Sequence, residues 1–227
     1  YRRIFTRCGL KYVVVGASSG MMGGSGSQEF MVPSEAGEDR TAFCEKCGYA
    51  ANTEIAQGIL EPFEPAEITG KKKVYTPNLR TVEEVSEFLK LPRAQMLKSL
   101  LYVAEKDDLP VMILIRGDQQ LNEEKLVQYL KSPVRAAYPE EVQQWLGAPE
   151  GFIGPVNAPD NIKIIADKSY PVDVPFATGA NEKDYHIMGY TLSETKVDDT
   201  GDFRIINEGE KCVECETPLK VRVTIEI

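Results

Sequence analysis

Cys44-Glu45-Lys46-Cys47-Gly48 lies near the start of the chain, and Cys212-Val213-Glu214-Cys215 lies near its end. A Cys-x-x-Cys turn sets two thiolates about 3.5–4 Å apart, the edge that a tetrahedron of roughly 2.3 Å Zn–S bonds requires. Each pair sits where a turn is expected, with Gly48 after the first and Thr217-Pro218 after the second. If one metal takes all four thiolates, the two ends of the intervening segment are neighbours in space. That segment is then a domain inserted into another domain. The alternative is four free thiols. Four thiolates leave no open coordination position, so the bound metal would be structural. Cys8 stands alone.

The 227 residues suffice for one large domain or two small ones, with 42% hydrophobic and 27% charged residues. No apolar run is long enough to cross a membrane, and no signal-peptide pattern opens the chain. With the cysteine usage, this points to a reducing cytoplasm. Tyr1 is not a start methionine, so a cut or processed N-terminus is expected. The net charge of −9 argues against a protein that coats nucleic acid non-specifically. Arg2, Arg3 and Arg7, or Lys71-Lys72-Lys73, remain local basic patches or simply solvated surface.

Outside the bracket, residues 30–32 and 41–43 read as short strands. The glycine-rich stretch 18–27 precedes a strand and not a helix, which suits a lid or a ligand-packed loop better than a nucleotide P-loop. The tail alternates, with Val221, Val223, Ile225 and Ile227 on one face, and predicts a half-buried antiparallel strand. Inside the bracket, prolines and lysines over 61–73 read as a linker. Thr81-Val82-Glu83-Glu84 is a capping box, and Val82, Val85 and Leu89 share a helical face. Pro92 opens a second predicted helix that carries Lys98 at its end. Residues 100–104 and 111–115 predict a buried hairpin. Helices are predicted from Asn122 through Leu130 and from Pro139 to Leu146, stopped by Gly147. Strands are predicted over 162–166 and 185–190. The fold class is α+β (mixed α/β): a mixed sheet flanked by helices, inserted into a partial antiparallel core.

Gly151-Phe152-Ile153-Gly154-Pro155-Val156-Asn157 puts two glycines and a proline into a rigid bend. Such a bend can aim main-chain N–H groups at an oxyanion or a ribose, or it can be an ordinary turn. His186, the only histidine, reads as a structural strand residue or a pocket contact.

Several stretches then resemble the bacterial-type prolyl-tRNA synthetases nearly end to end. They are Tyr1-Arg-Arg-Ile-Phe-Thr-Arg7, Gly23-Gly-Ser-Gly-Ser27-Gln-Glu-Phe-Met-Val32 and Ala42-Phe-Cys-Glu-Lys-Cys-Gly-Tyr-Ala-Ala-Asn52. The middle resembles that family's inserted editing domain through Thr76-Pro-Asn-Leu-Arg-Thr81, Met96-Leu-Lys98, Ile115-Arg-Gly-Asp118 with Leu121-Asn122, the 151–157 loop and Thr178-Gly-Ala-Asn181. The first and third class II motifs and the anticodon-binding domain are absent from this stretch, and Gln28 stands where many relatives carry histidine.

The resemblance implies three segments: 1–65, partial class II catalytic core; 66–206, editing domain; and 207–227, return to the core. It implies hydrolysis of mischarged alanyl-tRNA(Pro) at a site holding Lys98, Gly151, Gly154, Pro155 and His186, with Asp118 and Asp173 as further candidates. Proline and alanine differ by ring carbons worth only about 1–3 kcal/mol each, so a second, smaller pocket is needed to remove alanine. No Ser–His–Asp or Cys–His set is evident, so water attack without an acyl-enzyme is expected. Gly24, Ser25, Ser27 and Glu29 would belong to the parent ligase's substrate site. ATP and Mg would serve that parent, a homodimer acting on the tRNA(Pro) acceptor end. The competing expectation is a non-catalytic tRNA-binding module stapled by zinc at Cys44, Cys47, Cys212 and Cys215.

Overall fold

The computed structural model describes residues 1–18 and 27–227 and divides into two compact units. One unit is Tyr1–Pro62 with Ile205–Ile227, and the other is the uninterrupted stretch Phe63–Arg204. The Gly24 and Ser25 expectation, and most of the glycine-rich loop, lie outside the described residues.

The first unit opens with a short helix, α1 (Arg2–Arg7), and strands β1 (Val13–Ala17), β2 (Ser27–Pro33), β3 (Asp39–Phe43), β4 (Ala50–Asn52) and β5 (Gly58–Ile59). The second unit holds β6 (Lys72–Tyr75), α2 (Val82–Leu89), β7 (Leu97–Ala104), β8 (Leu109–Arg116), α3 (Glu123–Leu130), β9 (Val134–Ala136), α4 (Pro139–Leu146), β10 (Lys163–Asp167), β11 (Phe176–Gly179), β12 (Tyr185–Tyr190) and β13 (Asp199–Gly201). The chain then returns to the first unit through β14 (Lys211–Cys212) and β15 (Lys220–Glu226).

In the first unit, β1, β2, β15, β3 and β4 close into a barrel, and β5 pairs with β14. The tail is an antiparallel strand between β2 and β3, as its alternation predicts, but its apolar face is largely exposed apart from half-buried Val221, and its one buried residue is Thr224 on the polar face. Thr224 is 3% exposed, whereas Val223 and Ile225 are 40% and 43% exposed. The hydroxyls of Thr224 and Thr41, remote in sequence, meet at 2.9 Å, so both are satisfied out of water. Hydrophobic alternation fixes which residues share a face and leaves open which face is covered.

The second unit is built on a mixed five-stranded sheet ordered β13-β10-β8-β7-β9. β8 is antiparallel to β7 and parallel to β10. The run Val111 to Ile115 in β8 is fully buried, as a central strand covered on both faces must be. A second sheet, β11-β12-β6, carries His186.

The helix punctuation acts as read. Thr81 Oγ1 accepts from Glu84 N at 3.2 Å while Glu84 Oε2 accepts from Thr81 N at 3.0 Å, a capping box that contributes about 1 kcal/mol. Asn122 caps α3 through Lys125 N at 3.2 Å, and Gly147 ends α4 at φ 74°. The helix predicted after Pro92 is a correction. Only Arg93–Gln95 forms a single 3-10 turn, and Met96 is already extended. Leu97 pairs with Arg116 and the ladder then runs to Ala104 opposite Leu109. Lys98 therefore sits on a strand, because hairpin pairing to the most buried strand outweighs local helix preference.

Candidate functional site

Within the second unit, the N-terminal side of α2, the start of β7, the 151–154 loop and the ends of β11 and β12 enclose a cavity of about 500 Å³. Its walls include Arg80, Lys98, Ser99, Gly151, Thr178 and His186. Lys98, Gly151 and His186, far apart in the chain, are thus brought together.

The loop is held by backbone crowding that only glycine permits. Gly151 has φ +88°, and a Cβ there would stand 2.7 Å from Arg80 Cβ. A Cβ on Gly154 would stand 2.0 Å from Gly179 O, and one on Gly179 would stand 2.2 Å from Ile153 O. The loop therefore crosses the end of β11 main chain against main chain. Asn181 fastens it from three sides: Gly154 N donates to Asn181 Oδ1 at 2.8 Å, and Asn181 Nδ2 donates to Gly154 O at 2.9 Å and Val156 O at 2.7 Å. Gly154 is not among the residues lining the cavity, and Asn181 engages both its N–H and its C=O, so its backbone holds the loop. Pro155 lines a different, smaller hollow of about 230 Å³. Asn181 is the residue that single-residue reasoning passed over, and its left-handed φ of 53° after Gly179-Ala180 is the signal that marks such a turn.

His186 is buried, at 4% exposure, with both ring nitrogens engaged. Nε2 lies 3.1 Å from Gly151 O, which can only accept, so Nε2 carries the proton. Nδ1 is then the acceptor for the Thr76 hydroxyl at 2.7 Å. Burial pushes its pKa down to about 4, against a smaller upward pull from the Gly151 carbonyl, so the imidazole is neutral at pH 7. A neutral ring with no vacant nitrogen is not a general base. It ties β12 to the Gly151 turn and to Thr76.

Lys98 donates from Nζ to the Gln119 carbonyl. Burial lowers its pKa, while Glu83 and Asp118 pull it back up. Asp118 is engaged by Arg116 through Nε at 2.6 Å and Nη2 at 2.7 Å, and Asp173 is exposed; neither lines the cavity. In the first unit, Ser27 begins β2, and Glu29 accepts from Asn52 Nδ2 at 3.5 Å, with burial raising its carboxyl pKa.

The four cysteines of the first unit form one cluster, all four Sγ atoms lying within 4.8 Å of one another. Cys44 Sγ is 3.5 Å from Cys215 Sγ, and Cys47 Sγ is 3.6 Å from Cys212 Sγ. The two turns have the same design. Cys44 N donates to Tyr49 O and Gly48 N to Cys44 O; Cys212 N donates to Thr217 O and Glu216 N to Cys212 O. Gly48 at φ 81° and Glu216 at φ 59° occupy equivalent left-handed positions. Glu214 N points at Cys212 Sγ at 3.4 Å, and hydrogen bonds from the Thr217 hydroxyl and N–H draw Cys215 down to about 6.

Residues 76–194, just over half the chain, match the model of the aminoacyl-tRNA editing domain family. The chain belongs to that family. Its editing domain coincides with the unit that holds the cavity. The whole chain is also 43% identical over 231 residues to a proline–tRNA ligase of Thermoanaerobacter sp. (strain X514), and 44% identical over 230 residues to one of Thermotoga neapolitana. It spans about 40% of the length of these relatives. A solved structure described as a candidate trans-editing enzyme for prolyl tRNA synthetase shares the α+β fold, with TM-score 0.52 and 24% identity, over 59% of this chain and 86% of that one. Among the described residues, no helix is long and apolar enough to cross a membrane.

Proposed function

We propose that this chain is the editing portion of a proline–tRNA ligase, and that its cavity hydrolyses the ester of alanyl-tRNA(Pro) by direct attack of water. The observation that carries the reading is the meeting of Lys98, the Gly151 turn and His186 at one hollow in a chain of this family. The Lys98 ammonium favours negative charge developing on the ester carbonyl, since a half-buried cation acts with little solvent screening. His186 acts at one remove: its Nε2–H fixes the Gly151 carbonyl and so the shape of the wall. Both His186 ring nitrogens are engaged, so the histidine does not activate a protein nucleophile, and water is the attacking group in this reading. Leu101, Val142 and Ile153 give the cavity an apolar lining that suits a methyl side chain.

The test is incubation of the chain with alanyl- and prolyl-tRNA(Pro), following ester loss. Rapid loss of alanine with prolyl-tRNA spared is the expected result. Lys98→Ala should slow the alanyl reaction by at least tenfold, and unchanged turnover would remove Lys98 from the chemistry. A chain that binds both tRNAs and cleaves neither would instead be a zinc-stapled binding module, the reading favoured by the cysteine cluster alone.

For that cluster, the assignment is one structural Zn²⁺ on Cys44, Cys47, Cys212 and Cys215. A Zn–S bond of about 2.3 Å implies tetrahedral edges of about 3.8 Å. The observed 3.5 and 3.6 Å separations lie close to that edge, and the remaining ones are inside 4.8 Å. When bound, zinc would fasten the two chain segments of the first unit to each other. Proline activation with ATP and Mg, a homodimer, the tRNA(Pro) acceptor end as partner and a cytoplasmic setting belong to the proposed parent ligase. Ser27 and Glu29, with Gly24 and Ser25, are proposed for its substrate site.

A further inference from the structure

We propose that Arg80 is the phosphate-binding residue of the editing cavity, gripping the phosphodiester next to the terminal ribose of the aminoacylated strand. This rests on the reading of the cavity as the seat of an aminoacyl-ribose end, and adds the group that recognises the backbone leading into it.

The second unit matches several of its arginines to carboxylates. In the same unit, Arg93 pairs with Glu83 at 3.1 Å, Arg116 with Asp118 at 2.6 Å and Arg135 with Glu141 at 2.7 Å. Among the described residues, Arg80 is matched to none, although Glu83 and Glu150 line the same cavity. Its guanidinium lies over the Phe152 ring at 5.8 Å from the centroid. Phe152 is fully buried, and its ring is 5.6 Å from that of His186. The Arg80 stem is in turn covered by Gly151, whose missing Cβ is what lets the loop lie on it.

The cation is therefore placed by the same loop that shapes the cavity, yet its N–H groups are not committed to a protein anion. A planar guanidinium can offer two parallel hydrogen bonds, the geometry a phosphate accepts. Lys98, the other cation at the cavity, gives Nζ to the Gln119 carbonyl and has a different task. The carboxylates of Glu83 and Glu150 on the cavity lining repel a phosphate, so a net −9 chain that admits a nucleic-acid end needs a cation there.

The experiment measures binding, not turnover. The trinucleotide cytidylyl-cytidylyl-adenosine, which ends every tRNA, and adenosine, which has no phosphate, are titrated into the wild-type chain, Arg80→Gln and Arg80→Lys at several salt concentrations. Arg80→Gln should weaken trinucleotide binding about tenfold or more, leave adenosine binding unchanged, and flatten the salt slope by about 0.7, the share of one phosphate on a single strand. Arg80→Lys should fall between, since it keeps the charge and loses the fork. Equal trinucleotide affinity in Arg80→Gln and wild type, a parallel loss on adenosine, or no trinucleotide binding by the wild type would each overturn the assignment. Ester loss from alanyl-tRNA is followed separately; its absence alongside Arg80-dependent trinucleotide binding would refute the hydrolytic reading alone.

Discussion

Acid should loosen the editing domain through His186 before the cavity loses any carboxylate contact. In the unfolded chain the imidazole titrates near 6.5; in the folded chain burial holds it at about 4. Folded pKa below unfolded pKa means that the unfolded state takes up the proton first. The stabilisation is thus fully present above pH 6.5, is lost as pH falls from 6.5 towards 4, and changes no further below that. The drop corresponds to roughly 3 kcal/mol, a large part of the 5–15 kcal/mol typical of a domain. His186→Gln supplies the control. Its amide can still donate to Gly151 O and accept from Thr76, but it does not titrate. Urea denaturation of both proteins at pH 7, 5.5 and 4 removes the contribution of every other acid, since both chains share them. Wild type should be the more stable at pH 7, and its lead should shrink by about 3 kcal/mol by pH 4. A lead that stays constant across that range would refute the assignment of a neutral, doubly engaged histidine.

Gly154→Ala should destabilise the editing domain by about 3 kcal/mol, read from thermal melts, because the new methyl carbon would meet Gly179 O at 2.0 Å. Asn181→Ala leaves three loop groups without their partner and should cost about 2 kcal/mol, with slower alanyl-ester hydrolysis as the turn relaxes. Protein purified without chelator should carry one zinc per chain by metal analysis. Cys44→Ser together with Cys215→Ser should abolish it and lower the melting temperature of the first unit; full zinc content in that double variant would show the metal lies elsewhere.

The Gly154 and Asn181 results would bear on the loop in a way that the Lys98 substitution does not. Lys98 is expected to act on the reacting ester, whereas Gly154 and Asn181 hold the wall against which the ester is placed. Loss of rate in both kinds of variant, with loss of stability only in the second, would separate chemistry from scaffolding.

By itself the sequence determined most of what depends on neighbours in the chain, the helix expected after Pro92 excepted. The Thr81 capping box, the Asn122 cap, the Gly147 stop and the β7–β8 hairpin follow from local hydrogen bonding and from runs of apolar residues, and all are present. The two Cys-x-x-Cys turns pointed to a shared cluster, with free thiols as the alternative, and the folded chain brings the four sulfurs together. Tertiary structure decided the rest. Lys98 became a strand residue because its ladder partner was a buried strand outside any local window. Thr224 went inside, where Thr41, remote in sequence, satisfies its hydroxyl, and Ile225 outside. Gly154 packs against Gly179 and is held through its backbone by Asn181, both remote in sequence. Arg80 became conspicuous only once the pairing of Arg93, Arg116 and Arg135 in the same unit was visible. Periodicity and capping are properties of a segment; which face is dry, and which polar group is already engaged, are properties of pairs of segments, and only the folded chain brings those pairs together.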